Sequence, residues 1–543
     1  MKNVKYLFAA LAMGVVFTSC GDSFLTQYPE GGVLLAEQYE KLPDNLKGSI
    51  LGIYSKLYEY GGDHDSFGQR GIDMYGDIAS GDMAMAKSNY GWFESYERGY
   101  FYAYAPSYLW SYYYDIINLA NLGAMAVENN VKEILEAVES ENEPREEILL
   151  QGFYYGQILA IRGWAYAGLL NYFCKPMNDL GGTMDEVKAI PVYTETEVKR
   201  GDLGAPLSTV SAVYDRIYED LSQGVDILNA YEKWITRSSK LEVNSDVARV
   251  ILAYAMLNHG DKETIIADGK NAYQIALEHT KAVIESGRYP LLKQKELLTT
   301  GFSDVKADDW MWAEDVTVET STALASFFGQ VDIHTYSYAA AGDTKGIDSK
   351  LYDQIVETGW DARVGWFNAG SEAFPYCPNR KFYNPGTKNE TSLEKVDREW
   401  LCDNVFMRVE AAYLIAAEAA WANGDNTTAV SYLKQLCDER VLDGKSDVYA
   451  SWLAGLSSDE AVKRAIAYNW RVEMWGEGYG LQTLRRLTKT VTLGTNHLSR
   501  SNQEISVTGN DYVKYQCQIP SSETRYNPYL ATTQLTKNNK PQN

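Results

Sequence analysis

The stretch that most constrains this chain runs from Asn404 to Arg440, NVFMRVEAAYLIAAEAAWANGDNTTAVSYLKQLCDER. It reads as two helices around a sharp turn. The first carries Ala at 411, 412, 416, 417, 419 and 420, with Val409, Tyr413, Leu414, Ile415 and Trp421 between them. Ala is the strongest helix former because ordering it costs no side-chain entropy. A face of small residues also lets a neighbouring helix come close. Asn423-Gly424-Asp425 then breaks the helix, and Thr427 or Thr428 is placed to cap the next one. In the second helix Ala429, Leu433, Leu436 and Cys437 recur at three- and four-residue spacing, which gives one apolar stripe.

A helix, a tight turn and a second helix over about 35 residues is the unit of tetratricopeptide-type arrays. Such a unit cannot bury its own apolar face and needs neighbours. Ser245 to Gly287 is a second copy, with Ala248, Leu252, Ala255 and Met256 ahead of His259-Gly260-Asp261, and Ala272, Ile275, Ala276, Ala282 and Val283 after it. Tyr155 to Phe173 with Ser208 to Ala230, and Asp459 to Leu487, are weaker copies. The sequence therefore predicts an all-α scaffold of helix pairs.

Two regions interrupt it. Residues 61–107 are dense in Gly, Asp and aromatic residues and show no helical period. Residues 289–402 read as short strands and loops, with Trp310-Met311-Trp312 as a buried strand and Val331 to Tyr338 as strand or loop. Long irregular segments of this kind are functional or disordered, and their aromatic content argues against disorder. Leu46 to Tyr60 and Tyr108 to Met125 read as helices, and the tail from Gln518 as extended.

The N-terminus has the pattern of an export signal. Lys2 and Lys5 precede an apolar run, Tyr6 to Phe17, and then Thr18-Ser19-Cys20. The run is too short for an ordinary membrane-spanning helix. Cys directly after small residues resembles the lipobox of bacterial lipoproteins, which makes Cys20 the expected lipid anchor. Residues 1–19 are then the signal peptide, 20–45 a tether and extended segment, and 20–543 a single domain. Removing the signal takes the formal charge from −23 to −25. A surface this acidic repels nucleic acid, so no nucleic-acid role is expected. The cysteines at 174, 377, 402, 437 and 517 show no metal-like spacing and read as buried thiols.

Taken in order, several blocks resemble the SusD/RagB-like family, surface lipoproteins of Bacteroidetes that bind nutrients, mostly glycans, for an outer-membrane transporter. They are Cys20-Gly21-Asp22-Ser23-Phe24-Leu25 with Pro29, Trp110 to Asn121 (WSYYYDIINLAN), Ile161 to Tyr166 (IRGWAY), and Pro206 to Leu221 (PLSTVSAVYDRIYEDL). Asp361-Ala362-Arg363, Glu410 to Glu418, Arg471 to Gly478 (RVEMWGEG), Ile519-Pro520 with Glu523, and Asn527 to Leu530 continue the series. The match runs nearly end to end. Gly480 and Thr483 stand where members usually carry Arg and Asp, and Gly156-Gln157 stands where Glu-Ala often occurs. The resemblance implies an all-α fold of tetratricopeptide-like pairs under an irregular ligand-binding face. It also implies a non-catalytic glycan binder that delivers oligosaccharide to a SusC-like TonB-dependent barrel.

The residues themselves show no HExxH, GxSxG or Walker motif, so no catalytic residues are expected. No cofactor and no metal site are expected; an Asp-rich turn such as Asp63/Asp65 could hold calcium, although EF-hand spacing is absent. Sugar binding needs aromatic platforms and hydrogen-bonding groups on a rigid scaffold. The irregular regions supply both. The candidate ligand contacts are Asp73, Tyr75, Asp77, Asp82, Tyr90, Trp92 and Tyr96 from the first region, and Phe327, His334, Tyr336, Tyr338 and Trp360 from the second. Trp310 and Trp312 belong in the core. The alternatives are a peptide or another nutrient on the same scaffold, or a purely structural partner of the transporter.

Overall fold

The computed structural model describes residues 41–99, 106–202, 204–384, 400–509 and 515–530. Cys20, the signal peptide and most of the tether lie outside them. The principal helices are α1 (Asp44–Lys56), α2 (Gln69–Ser80), α3 (Pro106–Ala126), α4 (Glu146–Phe173), α5 (Val210–Tyr231), α6 (Ser245–His259), α7 (Ala272–Ser286), α8 (Ser349–Thr358), α9 (Val409–Ala422), α10 (Asn426–Asp438) and α11 (Asp459–Glu473). They pack as pairs, α1 with α3, α4 with α5, α6 with α7, and α9 with α10. Each pair leans on the next through α3–α4, α5–α6 and α7–α9, and α11 closes on α9. The predicted all-α array is what the chain forms. Asn244 and Asn271 accept from backbone N–H groups at the starts of α6 and α7. These bonds satisfy amides that a helix start leaves unpaired.

Short antiparallel strand pairs stitch the inserts to the array. They are β1 (Met83–Met85), β2 (Lys188–Pro191), β3 (Leu207–Thr209), β4 (Trp310–Glu314), β5 (Lys345–Ile347), β6 (Asn404–Arg408), β7 (Thr490–Thr492) and β8 (Glu504–Ser506). The pairs are β1–β5, β2–β3, β4–β6 and β7–β8. As expected, β4 is buried throughout, with Trp310 and Trp312 in the core. The five described cysteines are buried free thiols.

Several local expectations need correction. Asn404 to Arg408 is strand β6 rather than the start of a helix, because it pairs with β4. The cap of α10 is Asp425, whose carboxylate accepts from Thr428 N at 3.0 Å, and not either Thr. Residues 61–107 contain a full helix, α2, buried on every side from Arg70 to Ser80. Its polar residues are paired inside the protein, so the polar face that marks a surface helix in sequence does not exist. Of the two readings of Val331 to Tyr338, strand or loop, the chain takes the loop, after a short helix at Phe327–Val331. Asp459 to Leu487 is one helix to Glu473 and then short α and π turns. Ser521–Tyr526 forms a helical turn in the tail.

Candidate functional site

Strand pairing brings the two irregular regions together. β1 follows α2 and β5 precedes α8, and their register sets Met83 opposite Ile347 and Met85 opposite Lys345. The ladder runs on through Ala86 N to Thr344 O at 3.1 Å. Beyond it the Asp343 carboxylate accepts from Asn89 N at 2.5 Å and Tyr90 N at 2.8 Å, and Asn89 Nδ2 donates to Ala341 O at 2.8 Å. Gly342 sits at φ +107°, and a Cβ there would lie 2.0 Å from Asn89 Nδ2. Only Gly lets these two loops approach so closely. A third loop is closed by the Tyr60–Phe67 bridge, with Gly61 N to Ser66 O at 2.7 Å.

The three loops present one group of rings. His64 stacks on Trp92, with centroids 5.1 Å apart and planes 13° apart. Tyr338 stands edge-on to both, at 5.5 Å from His64 and 6.1 Å from Trp92, and its hydroxyl is hydrogen-bonded to His64 Nδ1 at 2.5 Å. Tyr90 meets Tyr338 at 5.2 Å, and Tyr60 meets His64 at 5.8 Å. Tyr90 is 58% exposed and Tyr60 42% exposed, so the group faces solvent. Tyr336, 46% exposed, follows the same loop, and its carbonyl accepts from Trp400 Nε1 at 3.2 Å.

The base beneath the rings is rigid. Phe93 is fully buried with φ 67°, a conformation that costs a non-glycine residue about 1 kcal/mol and turns the chain sharply after Trp92. Gln330 holds the His64 loop by donating to His64 O at 2.8 Å, and itself accepts from Lys345 Nζ at 2.8 Å. Burial pushes that ammonium down to about 8.

Of the sequence candidates, Tyr90, Trp92, Tyr336 and Tyr338 lie at this platform. His334 is half-buried on the same segment, with its ring 5.8 Å from that of Tyr383. The others are buried in the core. Asp73 accepts from Gln69 and from the buried Arg70, each at 2.8 Å. Asp77 accepts from the backbone of Gly478 and Gly480, and Asp82 from Arg471. Tyr75 and Tyr96 stack on each other at 4.4 Å beneath the platform, with Phe93 beside them. The guanidinium of Arg70 lies 3.9 Å over the Phe327 ring. Trp360 is fully buried against Tyr449 and Trp452. Sequence reasoning passed over His64 and Tyr60. Their one signal is a lone His beside aromatics in a Gly- and Asp-rich turn. Among the described residues, no group of three His, Cys, Asp or Glu side chains is placed to hold a metal ion.

The widely spaced sequence blocks converge in two buried clusters. Arg162 bonds Asn121 at 2.8 Å and Asp220 at 2.7 and 2.8 Å, joining α3, α4 and α5. Glu473 receives Arg440 at 2.8 Å, Arg363 at 3.0 Å and Arg408 at 3.3 Å. Glu410 pairs with Arg408 and Arg440, Glu477 with Arg408 and Lys381, and Asp361 with Arg363. Burial alone would raise Glu473, but the three guanidinium groups hold its carboxyl well below the usual range. These charges fix the second insert to the array.

Family models and solved structures show what the chain is similar to. Residues 48–252 match the model described as "Starch-binding associating with outer membrane", and residues 344–540 match that of the SusD family. No curated protein matches. A SusD-like carbohydrate binding protein from Bacteroides vulgatus superposes with a TM-score of 0.65 at 19% identity, over 90% of this chain and 96% of its own. A SusD superfamily protein from Bacteroides thetaiotaomicron gives 0.64 at 19% identity, over 90% and 98%. Surface glycan-binding protein A from Bacteroides uniformis gives 0.57 at 15% identity, over 90% and 98%. At these identities the likeness is one of fold.

Proposed function

The chain belongs to the SusD/RagB family, and on that premise we propose that it is a glycan-binding protein of the cell surface, anchored through Cys20. In this reading it captures oligosaccharide without chemistry and hands it to a SusC-like TonB-dependent barrel. The observation that carries the reading is the platform of Tyr60, His64, Tyr90, Trp92 and Tyr338 on a buttressed base. Aromatic faces suit the flat apolar faces of sugar rings, and phenol, imidazole and indole groups hydrogen-bond to hydroxyls. No described helix is long and apolar enough to cross a membrane, which is compatible with attachment through an acyl-bearing residue.

The test is calorimetric titration of protein beginning at Gly21 against a panel of polysaccharides and oligosaccharides. Saturable heat with one glycan class and no new reducing ends is the expected result. Silence across the panel, or unchanged binding in a Trp92→Ala, Tyr338→Ala double variant, overturns it. Cys20→Ala should release the full-length protein from the membrane fraction, and retention there would refute the anchor.

A further inference from the structure

We propose that His497 is a positioning residue of the platform, and that glycan affinity there is set by whether its ring is protonated; this rests on the glycan-binding reading. His497 is only 4% exposed and acts from behind the rings. It lies between two buried carboxylates that hold the two halves of the platform. Its Nδ1 is 3.2 Å from Glu97 Oε2, and its Nε2 is 3.1 Å from Asp348 Oδ2.

Each carboxylate belongs to a piece of backbone that seats a platform ring. Glu97 ends the helical turn behind Trp92, and its N–H donates to Phe93 O at 3.4 Å. Asp348 follows β5, and its N–H carries the β1–β5 ladder on to Asp82 O at 3.0 Å. Past the far end of that ladder the Asp343 carboxylate accepts from Tyr90 N. The segment that carries His497 is tied to the same ladder, by Leu498 N to Met85 O at 2.7 Å and Asn496 Nδ2 to Ile347 O at 2.9 Å. The ring therefore joins the turn behind Trp92 to the ladder that positions Tyr90.

The join needs two protons. A carboxylate accepts and does not donate, so both contacts are hydrogen bonds only when both ring nitrogens carry hydrogen. A neutral ring has one N–H, and its bare nitrogen then faces a carboxylate. Either loss frees one side of the join, and with it the seat of the Trp92–His64 stack. The charges around the ring favour the cation. Glu97 and Asp348 face it directly, Arg500 opposes them from 3.3 Å beside Glu97, and Asp82 is already paired with Arg471 at 2.7 Å. Burial alone would lower the imidazole, yet its bonds to Asp348 and Glu97 hold it above its ordinary value. Affinity should therefore be high at acid pH and fall as pH rises through the folded value.

The experiment is fluorine NMR of protein labelled with 5-fluorotryptophan, from about pH 5 to about pH 9, which brackets the ordinary imidazole value of about 6.5. The Trp92 signal is assigned with Trp92→Phe. His64→Gln is the background, because it removes the imidazole stacked on Trp92. The expected result is a titration of the Trp92 signal centred above about 6.5 that disappears when His497→Gln is added. Should that variant not fold, Glu97→Gln replaces it: the amide donates to a bare Nδ1 while its oxygen keeps the Ser499 N–H, so the titration should disappear there too. Maltohexaose, cellohexaose, xylohexaose, mannohexaose and chitohexaose are then titrated calorimetrically at both ends of the range. At least one should bind wild type about threefold to tenfold more weakly at high pH, the worth of one hydrogen bond, and the difference should shrink in His497→Gln. A Trp92 signal that does not titrate in His64→Gln, or titrates equally with and without His497, overturns the coupling and leaves the platform reading standing. Equal affinity at both ends does the same. Silence of all five sugars at both ends overturns the glycan reading and the role of His497 with it.

Discussion

Trp92 and Tyr338 carry different loads in the platform, and single changes should separate them. Trp92 supplies the largest face and stacks on His64. Its replacement by Ala should weaken glycan affinity at least about tenfold, since an aromatic contact is worth about 0.5–1.5 kcal/mol beyond its area. Tyr338→Phe keeps the ring but deletes the hydroxyl bonded to His64 Nδ1, so a loss of only about three- to fivefold is expected, read by the same calorimetry. Equal losses would show that the hydroxyl, not the ring, holds the sugar. Gly480 poses a different test. The family's usual charged residues are absent at 480 and 483, and here the backbone N–H of Gly480 donates to Asp77 Oδ1 at 2.9 Å. A Cβ at 480 would lie 2.6 Å from Ser80 Oγ and 2.8 Å from Asp77 Oδ1. Asp77 is fixed by two amides and Ser80 Oγ donates to Asp77 O, so neither side chain swings away freely. Gly480→Ala should cost about 1–3 kcal/mol in denaturant unfolding. An unchanged midpoint would mean that α2 shifts to make room.

At the scale of elements, β6, α9, the turn after α10, α11 and the segment 361–381 share one buried ionic cluster. Four cationic heads, Arg363, Arg408, Arg440 and Lys381, face the carboxylates of Asp361, Glu410, Glu473 and Glu477. Asp309 stands 3.8 Å from Arg408, and burial together with the nearby Glu410 pushes its carboxyl above the usual carboxylate range. Glu473→Gln should destabilise the protein by about 3–5 kcal/mol, because three guanidinium groups lose their common partner without regaining water. Adding Arg440→Met should recover part of that loss in thermal unfolding, and strict additivity would refute the coupling. This cluster also explains what the sequence made legible. A helix announces itself when one face meets water and the other is buried, and the stripe at Ala429, Leu433, Leu436 and Cys437 is such a buried face. Helix α2 has no such face, since Arg70, Asp73, Asp77 and Ser80 are all buried with partners inside the protein. The exposed rings of Tyr90 and Tyr336 lie in the two irregular regions. Within them, sequence had no means to separate Trp92, which reaches the surface, from Tyr75 and Tyr96, which lie beneath it. The β1–β5 register, which pairs residues more than 250 apart, and the left-handed turn at Phe93 decide that.

Across the whole molecule, His497 joins parts of the chain that sequence keeps far apart. Its Nδ1 lies 3.2 Å from Glu97, in the helical turn just behind Trp92, and its Nε2 lies 3.1 Å from Asp348, which caps α8. Arg500 also reaches Glu97 at 3.3 Å and the α2 carbonyls of Ile78 and Ala79. Burial alone would lower the imidazole. The hydrogen bonds to Asp348 and Glu97 outweigh it and raise the group above its ordinary value, although Arg500 opposes them. A raised cationic group stabilises the fold fully below its unfolded value of about 6.5, and that contribution disappears as pH climbs through the folded value. Glu97 and Asp348 are held below the usual carboxylate range despite burial, so their share is lost only on the acid side. The stability difference between wild type and His497→Gln should therefore be greatest below the unfolded value of about 6.5 and shrink as pH rises above it, through the raised folded value of the imidazole. Thermal unfolding of both proteins across those pH values measures it. A difference that stays constant or grows with pH would mean that His497 is neutral in the folded protein and that the turn behind Trp92 is held by Arg500 and Ser499 without an imidazolium.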